Sequence, residues 1–384
     1  MDGIIFEQYK NFHCIGSECP YTCCGGYWRI EVDEDTDRFY QSCDGEFGAY
    51  LNKCINRDAG KPIMRLQSNG RCKMLDAQGL CSIQIAYGHE KLCWTCQRYP
   101  RIALQNEGLS IAYLTLSCPE VAREVLMRKT PIHLLRCEMP ESLDGKSGID
   151  TELAAVRRQG FQVAIRILQD RKYDIVHRQR LFLRMSRLVQ EAIDNNDMRQ
   201  AKKTLATFFR SDAYRALMMN DDVSAKTADK VQLLQGLKIP IMEGEHGFEL
   251  PEIFKRAINY IQDDHANLTA FVEYFRKIGT KQQQRAFENL LVALLPGKYI
   301  SDYADHNLYR QSAYIVILAQ LYRVLSAVGY AGGVESETGI REQLLLSYIC
   351  RFFDHTSKDI LKKVDQALDE HHLLDIDFIL RLVG

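Results

Sequence analysis

The 384-residue chain lacks an excess of charge of either sign: 49 Lys and Arg stand against 50 Asp and Glu. No global basic surface therefore marks it as a nucleic-acid binder. It also lacks G-x-G-x-x-G after a strand, G-x4-G-K-[ST] and G-x-S-x-G, so a Rossmann-type methyltransferase or dehydrogenase core is not expected. Gly332-Gly333 follows a helical run and reads as a helix-ending turn. The opening Met1-Asp-Gly-Ile-Ile-Phe-Glu has no basic segment leading into an apolar stretch, so a secretory signal is not expected. The most apolar window, Ala313 to Tyr330, is interrupted by Gln320 and Arg323 and reads as a buried or amphipathic helix rather than a membrane span. No repeat of fixed period and no low-complexity tract is present. With 46% hydrophobic and 26% charged residues, a mainly disordered chain is excluded.

Cysteine is nearly missing from most of the chain and dense in the rest. Of 13 cysteines, 12 fall at or before Cys137, and the remaining 247 residues hold only Cys350. A small disulfide scaffold is excluded by length, and an odd count sits badly with full pairing. In a reducing cytoplasm, where the chain is expected to reside, clustered cysteines serve more often as metal ligands or redox groups.

At about 150 residues per domain the length suggests two or three domains. Residues 1–137 are loop-rich and glycine-punctuated, with a short strand expected over Ile111 to Leu116 and a short helix over Pro119 to Met127. Residues 138–151 shift to Pro, Ser, Gly and Asp and read as a linker. Residues 152–384 are expected to be all-α. Apolar residues at three- and four-residue spacing place helices over Leu153–Gln169, Leu181–Ile193, Ala201–Phe209, Phe254–Ile261, Gln284–Leu295, Ala313–Val328, Gln343–Phe353 and Ile360–Leu368. Pro296-Gly297 reads as a stop after a helix. Lys238 to Leu250, with Pro240, Gly244 and Gly247, reads as a loop and marks a sub-boundary near 237–250. The fold class expected is mainly α: an irregular, cysteine-rich N-terminal domain with few short strands, followed by an all-α C-terminal region.

The cysteines form three groups: Cys14-x4-Cys19-x3-Cys23-Cys24, then Cys72-x8-Cys81 with Cys93-x2-Cys96, then Cys118-Pro119. Thiolates a few residues apart in turn-rich chain can converge on one ion or cluster at little conformational cost. Arg71, His89, Lys91, Arg98 and Arg101 lie nearby in sequence, and positive charge favours the thiolate. Nine thiols exceed one four-ligand site, so either two sites exist or some of the nine only pack. Side chains of the adjacent pair Cys23-Cys24 diverge, which is awkward for one tetrahedral ion. Cys43, Cys54, Cys137 and Cys350 stand apart and are expected to pack, and His89 to be a surface or structural histidine. Only Cys93-x2-Cys96 is a clean zinc knuckle, and Cys-Pro resembles the end of a ferredoxin ligand run, so spacing alone puts iron–sulfur ahead of zinc. A C-x3-C-x2-C run is absent: Gly26 stands where Cys19 and Cys23 would need a third cysteine, and His89 where Cys93 and Cys96 would need a first.

Phe12-His-Cys-Ile-Gly-Ser-Glu-Cys-Pro-Tyr-Thr-Cys-Cys-Gly-Gly-Tyr-Trp28 resembles the opening motif of the bacterial flagellin lysine-N-methylase family. Gly70–Ile83, Leu92–Arg101 and Leu114–Glu120 are similar to its later blocks, and the likeness spans roughly residues 6 to 125. The resemblance implies methyl transfer from S-adenosylmethionine to surface lysines of flagellin, a 4Fe–4S cluster held by N-terminal cysteines, and peripheral membrane association. Carried over, the candidate ligands are Cys14, Cys19, Cys23, Cys24, Cys72, Cys81, Cys93, Cys96 and Cys118. The catalytic base and the donor pocket do not follow from it. Rival readings are a non-enzymatic adaptor folded by zinc and an iron–sulfur electron carrier.

One local feature is separate. Between Val156 and Arg187 stand nine Lys or Arg (Arg157, Arg158, Arg166, Arg171, Lys172, Arg178, Arg180, Arg184, Arg187) against Asp170 and Asp174. They read as a solvated helix face or as a docking surface for an acidic protein patch or anionic lipid.

Overall fold

The computed structural model describes residues 2–19, 21–25, 29–58, 60–106, 109–139, 152–211, 214, 227–244, 250–263, 280–299, 307–331 and 340–384. The architecture is mainly α, with a small strand-bearing N-terminal region. Strands β1 (Asp2–Phe6), β4 (Arg101–Asn106), β5 (Leu109–Leu114) and β6 (Leu134–Glu138) form one sheet in the order β4-β5-β1-β6. β1 runs parallel to β5, with Ile4 opposite Ile111, and antiparallel to β6, with Gly3 opposite Cys137. β2 (Ile55–Asn56) and β3 (Ile63–Met64) make a separate two-stranded ladder.

Alternation along the strands divides their side chains between two environments. Phe6, Ile111 and Tyr113 enter the core of the helical region, whereas Ile5, Ala103, Ala112 and Met139 make a small cluster on the opposite face. Helix α1 is Glu7–Asn11, and α6 (Pro119–Met127) follows β5 with proline in its first turn, where no amide hydrogen is needed. The segment from Ile30 to Cys96 has its own core, built on Tyr40, Leu51, Cys54, Met74 and Ile83. Its helices are α2 (Glu34–Gln41), α3 (Gly45–Lys53), α4 (Ser82–Tyr87) and α5 (Trp94–Arg98). Asp33 caps α2 by accepting from Thr36 N at 3.0 Å and also accepts from Trp94 N at 2.8 Å, which ties the start of α5 to the start of α2.

Eleven further helices are described after residue 151: α7 Glu152–Leu168, α8 Ile175–Asp194, α9 Met198–Thr207, α10 Thr227–Gly236, α11 Lys238–Met242, α12 Leu250–Asp263, α13 Lys281–Tyr299, α14 Leu308–Ala331, α15 Ile340–His355, α16 Lys358–Glu370 and α17 Ile376–Val383. All eight helices expected from periodicity are present. The expected loop over Lys238 to Leu250 is corrected at its start. Pro240 sits in the first turn of α11, where a missing N–H costs no hydrogen bond, so the proline does not break it. The expected stop at Pro296-Gly297 is corrected too: α13 runs through both residues to Tyr299. Gly332 and Gly333, and the expected linker beyond Met139, lie outside the described residues. Helix α14 is long and apolar enough to cross a membrane by composition, yet 89% of its apolar window is buried inside the protein.

The basic run over 156–187 forms no single outward face. Arg157, Arg178 and Arg180 are buried, their heads bonding Tyr299 O, Leu168 O and Leu380 O respectively. Arg178 and Arg171 also grip the fully buried carboxylate of Glu288 on α13, at 2.6 and 2.8 Å. Helices α7 and α8 are amphipathic with arginine on both sides: the inward arginines bury their stems and carry charge to carbonyls or to Glu288.

Candidate functional site

All 13 cysteines are free thiols. The first cysteine motif contains two single turns of 3-10 helix, Gly16–Glu18 and Cys23–Gly25, consistent with the low helical cost-effectiveness of paired glycines. Its backbone is pinned to the second block where Cys72 N donates to Cys24 O at 2.7 Å. Cys81, Cys93 and Cys118 each occupy the extended residue just before a helix, so the amides of the next turn point towards their thiols.

These constraints sort the nine thiols into two neighbourhoods. Cys14, Cys19, Cys23 and Cys118 interact electrostatically with one another, with Cys14 exposed and Cys118 buried beside the main core. Cys24, Cys72, Cys81, Cys93 and Cys96 make the second neighbourhood, all within or against the core of the 30–96 segment. The adjacent pair sits at the boundary: the sulfurs of Cys23 and Cys24 are 3.9 Å apart, Cys24 interacts with Cys72, Cys81 and Cys96, and Cys23 interacts with Cys118 and Cys14 but also with Cys96. Burial pushes the thiols of Cys72 and Cys118 up to about 12, with Cys24, Cys81 and Cys93 adding to it at Cys72 and Cys19 and Cys14 at Cys118. Cys24 moves the other way, because the Cys23 thiol donates to it and Arg71 lies near.

Among the described residues no three His, Cys, Asp or Glu are closed to metal-coordinating distance. The donor chemistry nonetheless fits a soft metal or iron–sulfur cluster: four thiols in one neighbourhood and five in the other, none consumed in a disulfide. Of the cysteines outside these groups, Cys54 and Cys350 are buried and Cys43 and Cys137 half-buried; His89 is exposed.

Behind the first neighbourhood lies a cavity of about 550 Å3, walled by the end of β5, by α13, α14 and α15, and by the start of α16. Thr115 and Leu116 line it, and Cys118 stands two residues on. Ser117 Oγ joins the two regions, lying 3.2 Å from Tyr99 OH, 3.0 Å from Thr115 Oγ1 and 3.2 Å from His355 Nε2. Helix α15 supplies the opposite side of the junction. Tyr348 meets Tyr21 edge-on at 5.3 Å, the Arg351 guanidinium lies 4.4 Å over the Tyr21 ring, and Tyr21 sits between Cys19 and Cys23. The i, i+3, i+7 spacing of Tyr348, Arg351 and His355 puts them on one stripe, while Cys350 and Asp354, four apart, line the cavity.

The cavity carries charge of both signs. Lys298 Nζ donates to Asp354 Oδ1 at 2.6 Å; burial opposes the ammonium, but Asp354 and Tyr314 outweigh it and hold the lysine pKa above its usual value. Burial, with Arg351 and Lys298 near, pushes the His355 imidazole down to about 4, against the pull of Asp354, so it is neutral near pH 7. Arg310 Nη1 donates to Asp369 at 2.7 Å and its Nη2 to Asp365 at 3.2 Å. Lys298, Gln311, Asp354 and His355 were outside the sequence-level candidates. The available signal was polar residues inside helical runs that are otherwise apolar.

Residues 162–382 match the model of the FliB lysine N-methylase C-terminal domain. The flagellar biosynthetic protein FliU of Salmonella muenchen is 30% identical over 129 residues, covering 30% of this chain and 72% of that protein. A lysine-N-methylase of Salmonella choleraesuis (strain SC-B67) is 30% identical over 129 residues, and one of Salmonella typhimurium over 128. In both, the match spans 30% of this chain and only 30% of the relative's own length. No solved structure matches.

Proposed function

The chain belongs to the FliB lysine N-methylase family, and on that premise we propose that it is a protein-lysine N-methyltransferase. The donor is S-adenosylmethionine and the acceptor a surface lysine of flagellin, modified in the cytoplasm before export; remaining outward arginines of 156–187 offer a membrane contact. The observation that carries the reading is the junction itself: a thiol neighbourhood abutting a charged cavity, in a chain whose helical region matches the family over residues 162–382.

In such a reaction the methyl carbon leaves sulfur as its bond to the lysine nitrogen forms, and the donor departs as the neutral thioether. Before that, the acceptor ammonium, with a reference pKa of about 10.4, must lose a proton to expose its lone pair. Asp354, Asp365 and neutral His355 are groups on the cavity wall placed to take it. Cys14, Cys19, Cys23 and Cys118 would hold a 4Fe–4S cluster beside this wall, and the Cys24 neighbourhood a second metal or a folding core. When bound, a cluster held by four thiolates would supply a redox-active anchor for this wall, with no iron left open to the donor. The chain's own part is to set Ser117, Tyr99 and His355 in one hydrogen-bonded line between thiols and cavity.

The test is metal content and visible spectrum of protein purified without oxygen, then mass spectrometry of flagellin after incubation with S-adenosylmethionine. Iron with matching sulfide, and a gain of methyl mass on lysines, are expected. Zinc alone with unmodified flagellin would replace this reading by the zinc-folded adaptor.

A further inference from the structure

Among the described residues, two buried polar side chains on the cavity wall make no side-chain hydrogen bond. Gln311 is 1% exposed, yet neither its Oε1 nor its Nε2 has a partner, and Thr356, at 7%, leaves its Oγ1 in the same condition. Buried amides are ordinarily paired, because nothing else repays their lost hydration. Gln311 projects from α14, whose buried polar side chains Ser312 and Gln320 bond Ser186 and Gln179, whereas the Gln311 amide has no such partner among the described residues. The unpaired amide presents one donor and one acceptor side by side, the arrangement that reads the edge of an adenine ring.

The other wall groups point to the same class of ligand. Lys298 and Arg310 can each share a carboxylate, Asp354 an ammonium, and the Tyr314 ring attracts a cation across its face; the Lys298 ammonium already lies 5.5 Å from its centroid. Lys298 and Arg310 are already held by Asp354 and by Asp365 and Asp369, so a lone lysine side chain would use the acidic and aromatic groups and leave the Gln311 amide unmatched. A zwitterionic nucleoside uses them all, and 550 Å3 lies within the range of about 300–1,000 Å3 typical of small-molecule sites.

Resting on the methyl-transfer reading above, we propose that this cavity is the methyl-donor site, with the Gln311 amide pairing with the adenine edge and the Lys298–Asp354 pair flanking the amino-acid end. The donor's sulfonium then lies on the side of the cavity that adjoins Ser117 and Cys118, where a substrate lysine must arrive.

The experiment is calorimetric titration of the full chain, purified without oxygen, with S-adenosylhomocysteine. Gln311→Ala should weaken binding about tenfold, the range of one hydrogen bond. Leu361→Trp, which fills the cavity from α16, should abolish it, with both variants melting as the parent does. If the parent binds and both variants bind equally well, the cavity assignment is overturned while the methyltransferase reading stands. If the parent does not bind, the donor reading falls and the assignment with it. Should either variant misfold, an 8-azido analogue of the donor photolysed on the parent chain decides: label on peptides holding Gln311 or Thr356 supports the site, and label elsewhere refutes it.

Discussion

Replacing Glu288 with Gln should destabilise the helical region far more than a surface charge change would. The carboxylate is 0% exposed and receives Arg178 Nη1 at 2.6 Å and Arg171 Nη2 at 2.8 Å. Arg178 is itself only 2% exposed, so the neutral amide leaves a guanidinium charge in the interior with no counter-ion. Breaking a buried pair in this way costs about 3–5 kcal/mol, whereas an exposed pair is worth about 0–1 kcal/mol. Arg171, one-third exposed, can turn to water and adds little. With a urea dependence near 3 kcal/mol per molar, the unfolding midpoint should fall by roughly 1–1.7 M. The assay is urea unfolding followed by far-ultraviolet circular dichroism, which reports the helices. The paired variant Glu288→Leu with Arg178→Met removes both charges and should recover most of the loss, because an apolar pair of similar volume is close to neutral. A loss below about 1 kcal/mol for Glu288→Gln would refute the burial argument. A double variant no better than the single one would refute the pairing argument.

The two thiol neighbourhoods predict which cysteine variants behave alike. Cys23→Ser and Cys118→Ser should lower bound metal by the same increment, and Cys72→Ser and Cys93→Ser by another, as read by elemental analysis; four unrelated losses would contradict the division. Protonation of His355 opposes folding. Its ring titrates near 4 when folded and near 6.5 when unfolded, so the unfolded chain takes up the proton first. Stability should therefore be lost as pH falls from 6.5 to 4 and not further below, and His355→Gln should flatten that part of a melting-temperature profile. Gly48→Ala should loosen the cysteine-bearing core, because a Cβ there would meet Cys43 O at 2.1 Å, a backbone atom that cannot rotate away. Overpacking of this kind costs about 1–3 kcal/mol, and limited proteolysis between residues 30 and 96 should accelerate.

Much of the helical region was legible because burial of one stripe demands a three- and four-residue recurrence. The eight periodic runs all became helices, most ends extending one to six residues further, while Leu168 and Thr207 end their helices one and two residues early. Misreadings arose where a local signal met a tertiary reason. Pro240 and Pro296 are breakers by propensity, but Pro240 falls in a first turn and Pro296 three residues from a helix end. At Gly297 the missing side chain matters more than helix propensity: Tyr113 OH lies 3.1 Å from where a Cβ would be, and both line the cavity. The arginine run of α7 and α8 was countable in sequence but not orientable, since Arg178 faces Glu288, 110 residues away.

The family blocks, the nine clustered thiols and the all-α character of residues after 151 follow from the chain alone, because spacing over a few residues and amphipathic periodicity are local properties. How the thiols divide was settled only by the fold, where the Cys24 carbonyl takes the Cys72 amide and Cys118 arrives at the head of α6. The cavity is more strongly a product of tertiary structure. Thr115 and Asp354 meet across 239 residues, and Gln311 and Lys298 acquire meaning only on reaching the same wall. A side chain's type is written in the sequence, but its partner and its exposure depend on the direction in which packing turns it.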